Sequence, residues 1–115
     1  MAKVTDIKVK VAYQRGVCAA GHKEGDEWIV GSKTPSGICN AAYISIYPYV
    51  RVLQRGGKNR HHLGPEITRV ACPDAWNPIV FELSQVPEGS RESPIHDYPE
   101  TCGHLEHLPY KKDYP

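Results

Sequence analysis

Residues 39–57 read CNAAYISIYPYVRVLQRGG, and this stretch decides the fold. Ala42, Ile46, Val50 and Leu53 recur at spacings of four, four and three, which is the apolar stripe of a helix with one buried face. Asn40 is a suitable N-cap and Gly56-Gly57 a suitable stop. Pro48 lies inside the stretch, where it removes an intrahelical donor and crowds the preceding turn. The expectation is therefore a kink, or two short helices meeting near Tyr47.

On either side of this segment the period changes to two. Ile7, Val9, Val11 and Tyr13 alternate with Lys8, Lys10, Ala12 and Gln14, which predicts a strand with one buried face. Glu27 to Val30 predicts a second, short strand between Gly25-Asp26 and Gly31. A third is expected over about 67–72, and Ile79, Phe81 and Leu83 mark a fourth. The last two share a short connection through Pro73-Asp74, which favours an antiparallel hairpin. The reading is α+β: a small antiparallel sheet packed on one kinked helical segment, with a proline-rich C-terminal extension.

A chain of 115 residues supports one core. The expected division is a core domain over 1–86 and a tail over 87–115. The tail holds Pro87, Pro94, Pro99, Pro109 and Pro115 with no apolar period, and is expected to pack on its own or a neighbouring subunit. A homo-oligomer follows, because so small a domain gains burial by association.

The net charge is +1, and the basic patch Lys58, Arg60, His61, His62 is short and not interleaved with aromatics, which argues against nucleic acid as a partner. No apolar stretch is long enough to span a bilayer, so no membrane role is expected, and the N-terminus lacks the pattern of a signal peptide. A cytoplasmic address with reduced thiols is the expectation.

Three cysteines stand where the hydrophobic pattern breaks: Cys18 after the first strand, Cys39 at the helix start, Cys72 at the end of the third strand. His22 and Asp74 follow closely. Thiolates are soft ligands and good nucleophiles, and imidazole completes a metal shell or takes a thiol proton. Cys18, His22, Cys39 and Cys72 form one candidate metal set, with a divalent ion such as zinc as the implied cofactor. Alternatively Cys39 or Cys18 attacks a substrate while His22 or Asp74 moves protons. Packing alone is the competing explanation, because free cysteine is among the most buried residue types. No C-x-x-C pair is present. Tyr43 and Tyr47 are expected to line, with the three cysteines, one ligand cavity beside the helix, and Trp28 is a further ligand-binding candidate.

The tail offers a second ligand set, Cys102, His104 and His107, with His96 nearby; an exposed histidine-bearing tail without metal is the favoured reading, because a local His/Cys tract is compositional evidence alone. P-loop and nucleophile-elbow motifs are absent.

The ordered motifs Gly21-His22-Lys23, Gly25-Asp26, Pro35-Ser36-Gly37-Ile38-Cys39, Ile46-Tyr47-Pro48, Gly56-Gly57, Cys72-Pro73-Asp74 and Val80-Phe81-Glu82 span about residues 4–84. This pattern resembles a family of small, uncharacterised bacterial and archaeal cysteine-containing proteins. The resemblance implies that Cys18, Cys39 and Cys72 are family-type positions, and it carries no established activity. Two departures stand out: the loop Lys58 to Pro65 is more basic and histidine-rich than in relatives, and the tail after Val86 looks like an addition.

Three roles follow as expectations. The first is a small binding protein with a Cys/His-lined cavity for a metal ion or small metabolite. The second is a small isomerase, lyase or hydrolase using a cysteine. The third is an accessory subunit docking through its tail.

Overall fold

The computed structural model describes residues 2–59 and 67–93. Four strands and one helix follow in chain order: β1 (Ala2–Gln14), β2 (Glu27–Val30), α1 (Asn40–Gln54), β3 (Ile67–Ala71) and β4 (Ile79–Ser93). The sheet order is β2-β1-β4-β3, with every neighbouring pair antiparallel. The fold is thus α+β, as the two periods in the sequence require, and β3 and β4 form the expected hairpin.

The helix lies on one face of the sheet. Ala42, Ile46, Val50 and Leu53 pack with Ile7, Val9, Val11 and Val30 from β1 and β2 and with Ile79, Phe81 and Leu83 from β4. Each fully buried large apolar side chain contributes about 1.5–3 kcal/mol relative to exposure. The opposite face carries charge, with Lys8 against Glu27 at 3.0 Å and Arg69 against Glu82 at 3.1 Å. Those two glutamates therefore stand away from the helix and its cavities.

Three details differ from the sequence reading. First, α1 is a single helix with Pro48 inside it, not two short ones. Pro48 is exposed, and so is Ile44, whose carbonyl loses its usual donor; water can serve that oxygen without breaking the helix. Second, the N-cap is Cys39, not Asn40: its backbone is extended (φ −61°, ψ 136°) and its side chain makes no capping bond. Third, Tyr13 is 50% exposed, because a register shift between Val11 and Tyr13 turns it off the core face.

β4 also runs past Val86, through Pro87 to Ser93. Thr5 pairs with Ser90 and Ile7 with Gln85, so residues 86–89 bulge opposite Asp6. Pro87, which cannot donate to a ladder, sits in this bulge. Gly89 is required there, since a Cβ would come within 2.8 Å of the Asp6 Cβ and 3.0 Å of the Val86 Cβ. The same irregularity lets Val4 and Ile7, of opposite parity, both reach the core.

At its C-terminus α1 is tied to the sheet. Buried Gln54 donates to the Gly31 carbonyl at 2.9 Å, and Gln85 Nε2 donates to the Leu53 carbonyl, also at 2.9 Å. The bond from Gln85 satisfies a carbonyl that the helix end leaves open, and the bond from Gln54 joins the helix to the loop after β2.

Candidate functional site

The loop after β1 is fastened to the loop between β3 and β4. Arg15 N–H donates to the Pro78 carbonyl at 3.1 Å, Val17 N–H to Asn77 Oδ1 at 3.2 Å, and the Arg15 guanidinium to the Ala75 carbonyl at 3.2 Å. Gly16, at φ +76°, permits this approach, because any Cβ there would collide with the Asn77 amide oxygen. Asp74 organises the second loop: its Oδ1 accepts the N–H groups of Trp76 at 2.9 Å and Asn77 at 3.0 Å. Together these contacts carry Cys18 onto the end of the β3–β4 hairpin.

Cys72 is held from both sides. Its N–H donates to the Ile79 carbonyl at 2.9 Å, and its Sγ accepts the Ile79 N–H at 3.3 Å. Cys39 reaches the same region from the N-terminus of α1. Its own N–H donates to His22 Nε2 at 3.0 Å. An amide can only donate, so Nε2 is the unprotonated nitrogen of a neutral ring, and the proton belongs on Nδ1. His22 is 5% exposed, with its ring edge-on to Trp28 (centroids 4.9 Å, 71°) and to Phe81 (6.4 Å, 76°).

The result is one cavity of about 160 Å³, lined by Cys18, His22, Cys39, Cys72 and Asp74 together with small or apolar walls: Ala19, Ala20, Ala41, Ala42, Pro73, Asn77, Ile79 and Phe81. Five residues singled out from the sequence thus converge on one space. All three cysteines are free thiols and partly buried. Among the described residues, no group of three or more His, Cys, Asp or Glu side chains is arranged to hold a metal ion. His22 has its Nε2 lone pair committed to Cys39, so recruiting that nitrogen would mean releasing a helix-terminal amide.

The other candidates fall elsewhere. Trp28 backs the His22 ring without lining the cavity. Contrary to the expectation from the sequence, Tyr43 and Tyr47 do not share a cavity with the cysteines but line a different, larger cleft on the flank of α1. His96, Cys102, His104 and His107 lie outside the described residues, as do His61 and His62. The sequence reading missed Asn77, which ties the two loops together. Its signal was the Asp74-x-x-Asn77 spacing, where a carboxylate can bond amides two and three residues ahead.

Burial pushes the Tyr43 phenol above its ordinary range, partly offset by its hydrogen bond with Thr34; the nearby Tyr47 adds to the rise and Arg51 opposes it. No helix is long and apolar enough to cross a membrane among the described residues. In comparisons with known proteins, no family model, curated protein or solved structure matches the chain.

Proposed function

We propose that this is a small binding protein that holds a compact, thiophilic ligand in the cavity between Cys18, Cys39 and Cys72. The observation that carries this reading is the delivery of three thiols to one 160 Å³ space by three separate elements. With liquid water occupying about 30 Å³ per molecule, the space suits a ligand of only several heavy atoms. Its walls are mostly alanine, proline, isoleucine and phenylalanine, so the thiols are its principal soft polar groups. A zinc-like ion would recruit the thiolates with side-chain rotation, the fourth position being filled by His22 or by water. The protein is read as a cytoplasmic homo-oligomer, consistent with reduced thiols.

The test uses full-length protein purified without a metal-affinity tag. Elemental analysis and mass spectrometry of the denatured supernatant should find an occupant near one per chain. Cys18→Ala and Cys72→Ala should each reduce it severalfold, and Ala41→Phe, which fills the cavity mouth, should do the same. An absent occupant, together with zinc and iodoacetamide reacting alike in wild type and Ala41→Phe, would overturn the reading.

A second reading is favoured by one specific feature. Cys39 is the N-cap of α1, yet its sulfur makes no capping bond, so the thiol remains available at the positive end of the helix. Cys39 would then act as a nucleophile, with Cys18 and Asp74 at the same cavity. Here His22 positions the Cys39 backbone and serves as a base only after releasing the amide. Labelling rates separate the readings: a Cys39 that reacts far faster than Cys18 and Cys72 supports the nucleophile.

A further inference from the structure

The geometry points to a second binding site, for a small organic phosphate bearing a planar ring, in the cleft along the other flank of α1. Tyr43, Tyr47 and Arg51 are spaced by four and so form one stripe along the helix, and Arg55, its C-cap, follows at the same spacing. Lys33 and Thr34 from the loop after β2, and Arg91 near the end of β4, face that stripe across a space of about 620 Å³. This volume lies within the range of about 300–1,000 Å³ typical of small-molecule sites. The cleft shares no lining residue with the thiol cavity, and the inference does not depend on what that cavity holds.

The charge is one-sided. Lys33, Arg51, Arg55 and Arg91 line the space, and the one carboxylate among its described lining residues, Glu92, is paired with Lys3 at 2.8 Å. Arg91 bonds Asp6, and Arg51 donates to Gln54 Oε1 at 3.2 Å. A guanidinium carries five N–H donors in a planar fork, so these contacts orient Arg51 and Arg91 while leaving donors for an anion. Bidentate recognition of phosphate by such forks is strong and geometrically selective.

The aromatic half of the cleft is equally specific. The Tyr43 and Tyr47 rings lie 5.4 Å apart at 40°, too close to admit a ring between them. Tyr43 is held by Thr34, and its phenol stays protonated well into alkaline pH. Tyr47 is 42% exposed and offers a face on which a planar group can stack. Phosphate toward the arginines and ring toward Tyr47 therefore defines one ligand pose along the stripe.

Isothermal titration of the full chain with AMP, inorganic phosphate and adenosine tests this. AMP should bind at least about tenfold more tightly than either fragment, since it alone engages both halves. Arg51→Ala and Tyr47→Ala should each weaken AMP about tenfold. Lys33→Ala should weaken it severalfold, and because Lys33 is an exposed loop residue that variant keeps its fold. Lys10→Ala, which removes an exposed charge from β1 outside the cleft, should leave affinity unchanged. Affinity should fall as salt rises. Lack of AMP binding at millimolar concentration overturns the proposal. So do equal affinities for AMP and phosphate, or equal losses in Lys10→Ala and Lys33→Ala.

Discussion

The two cavities share one helix and little else. The thiol cavity lies where loops meet the end of the sheet, and its back wall is the core itself: Phe81 and Ile79 are at once lining and hydrophobic centre. The cleft lies on a helix flank, walled by long side chains standing on the surface around a floor that includes buried Val4 and Gln54. One is small, mostly apolar-walled and supplied with sulfur by three separate elements; the other is large, cationic and lined by long polar side chains. The difference teaches where each can be damaged. Changes at the thiol cavity should be felt by the fold, and changes at the exposed side chains of the cleft should be felt by a ligand and hardly by the fold.

The strongest way to break that contrast is to compare Phe81→Ala with Tyr47→Ala. Phe81 is fully buried and packs under both His22 and Trp28, so its truncation should cost about 3–5 kcal/mol in urea unfolding. Tyr47→Ala removes a partly exposed ring and should cost about 1 kcal/mol or less. Equal losses would mean that the cleft is as much a part of the core as the thiol cavity is.

His22 sharpens the comparison next. His22→Ala strands the Cys39 N–H and removes the ring packed on Trp28, for an expected loss of about 2–4 kcal/mol with altered Trp28 fluorescence. His22→Gln, which can offer an acceptor, should recover part of it. If alanine and glutamine behave alike, the acceptor at Cys39 is immaterial and His22 is there for its bulk.

Gly16→Ala should have a smaller effect on stability and a visible one on chemistry. The residue would be forced to hold φ +76° with a Cβ against Asn77, costing about 1–2 kcal/mol. Loosening Val17 from Asn77 frees Cys18, so iodoacetamide should label Cys18 faster while Cys39 is unchanged. Uniform labelling across both thiols would show that the two loops do not position Cys18.

Much of this contrast was legible in the sequence, for a physical reason. Alternation at Ile7, Val9 and Val11 and the helical stripe from Ala42 to Leu53 are local periodicities set by which face is buried, so they fixed element types. The thiol cavity was legible because Cys18, Cys39 and Cys72 all sit at element ends, and an antiparallel sheet with one helix has only two ends to share. The bulge opposite Asp6 was not legible: Pro87 reads as the start of the proline-rich tail, and only pairing with Val4 and Thr5 shows that β4 continues. Tyr13 misled for the same reason, its parity being changed by a register shift no single strand encodes. The cationic cleft was hidden by the net charge of +1, since Lys33, Arg51, Arg55 and Arg91 are scattered in sequence and gather only in the fold.

The subtlest expected effect belongs to Tyr43, and it concerns the cleft alone. Burial raises its pKa in the folded chain, so at alkaline pH the folded state retains a proton that the unfolded state has released. Unfolding stability then falls as pH rises, because the unfolded chain binds fewer protons. Tyr43 therefore makes its full contribution below the unfolded phenol value of about 10, and that contribution is lost as pH climbs through the higher folded value. Tyr43→Phe removes this proton, and the alkaline fall in stability should become shallower, with one late-titrating phenol missing from the ultraviolet titration. The substitution also breaks the Thr34 hydrogen bond. A uniform loss at every pH would report that bond, whereas a loss confined to neutral pH that closes at alkaline pH reports the partly buried phenol. A profile identical to wild type in both slope and height would mean that the cleft wall around Tyr43 is as open to water as Tyr47, and that the two cavities differ less than their linings imply.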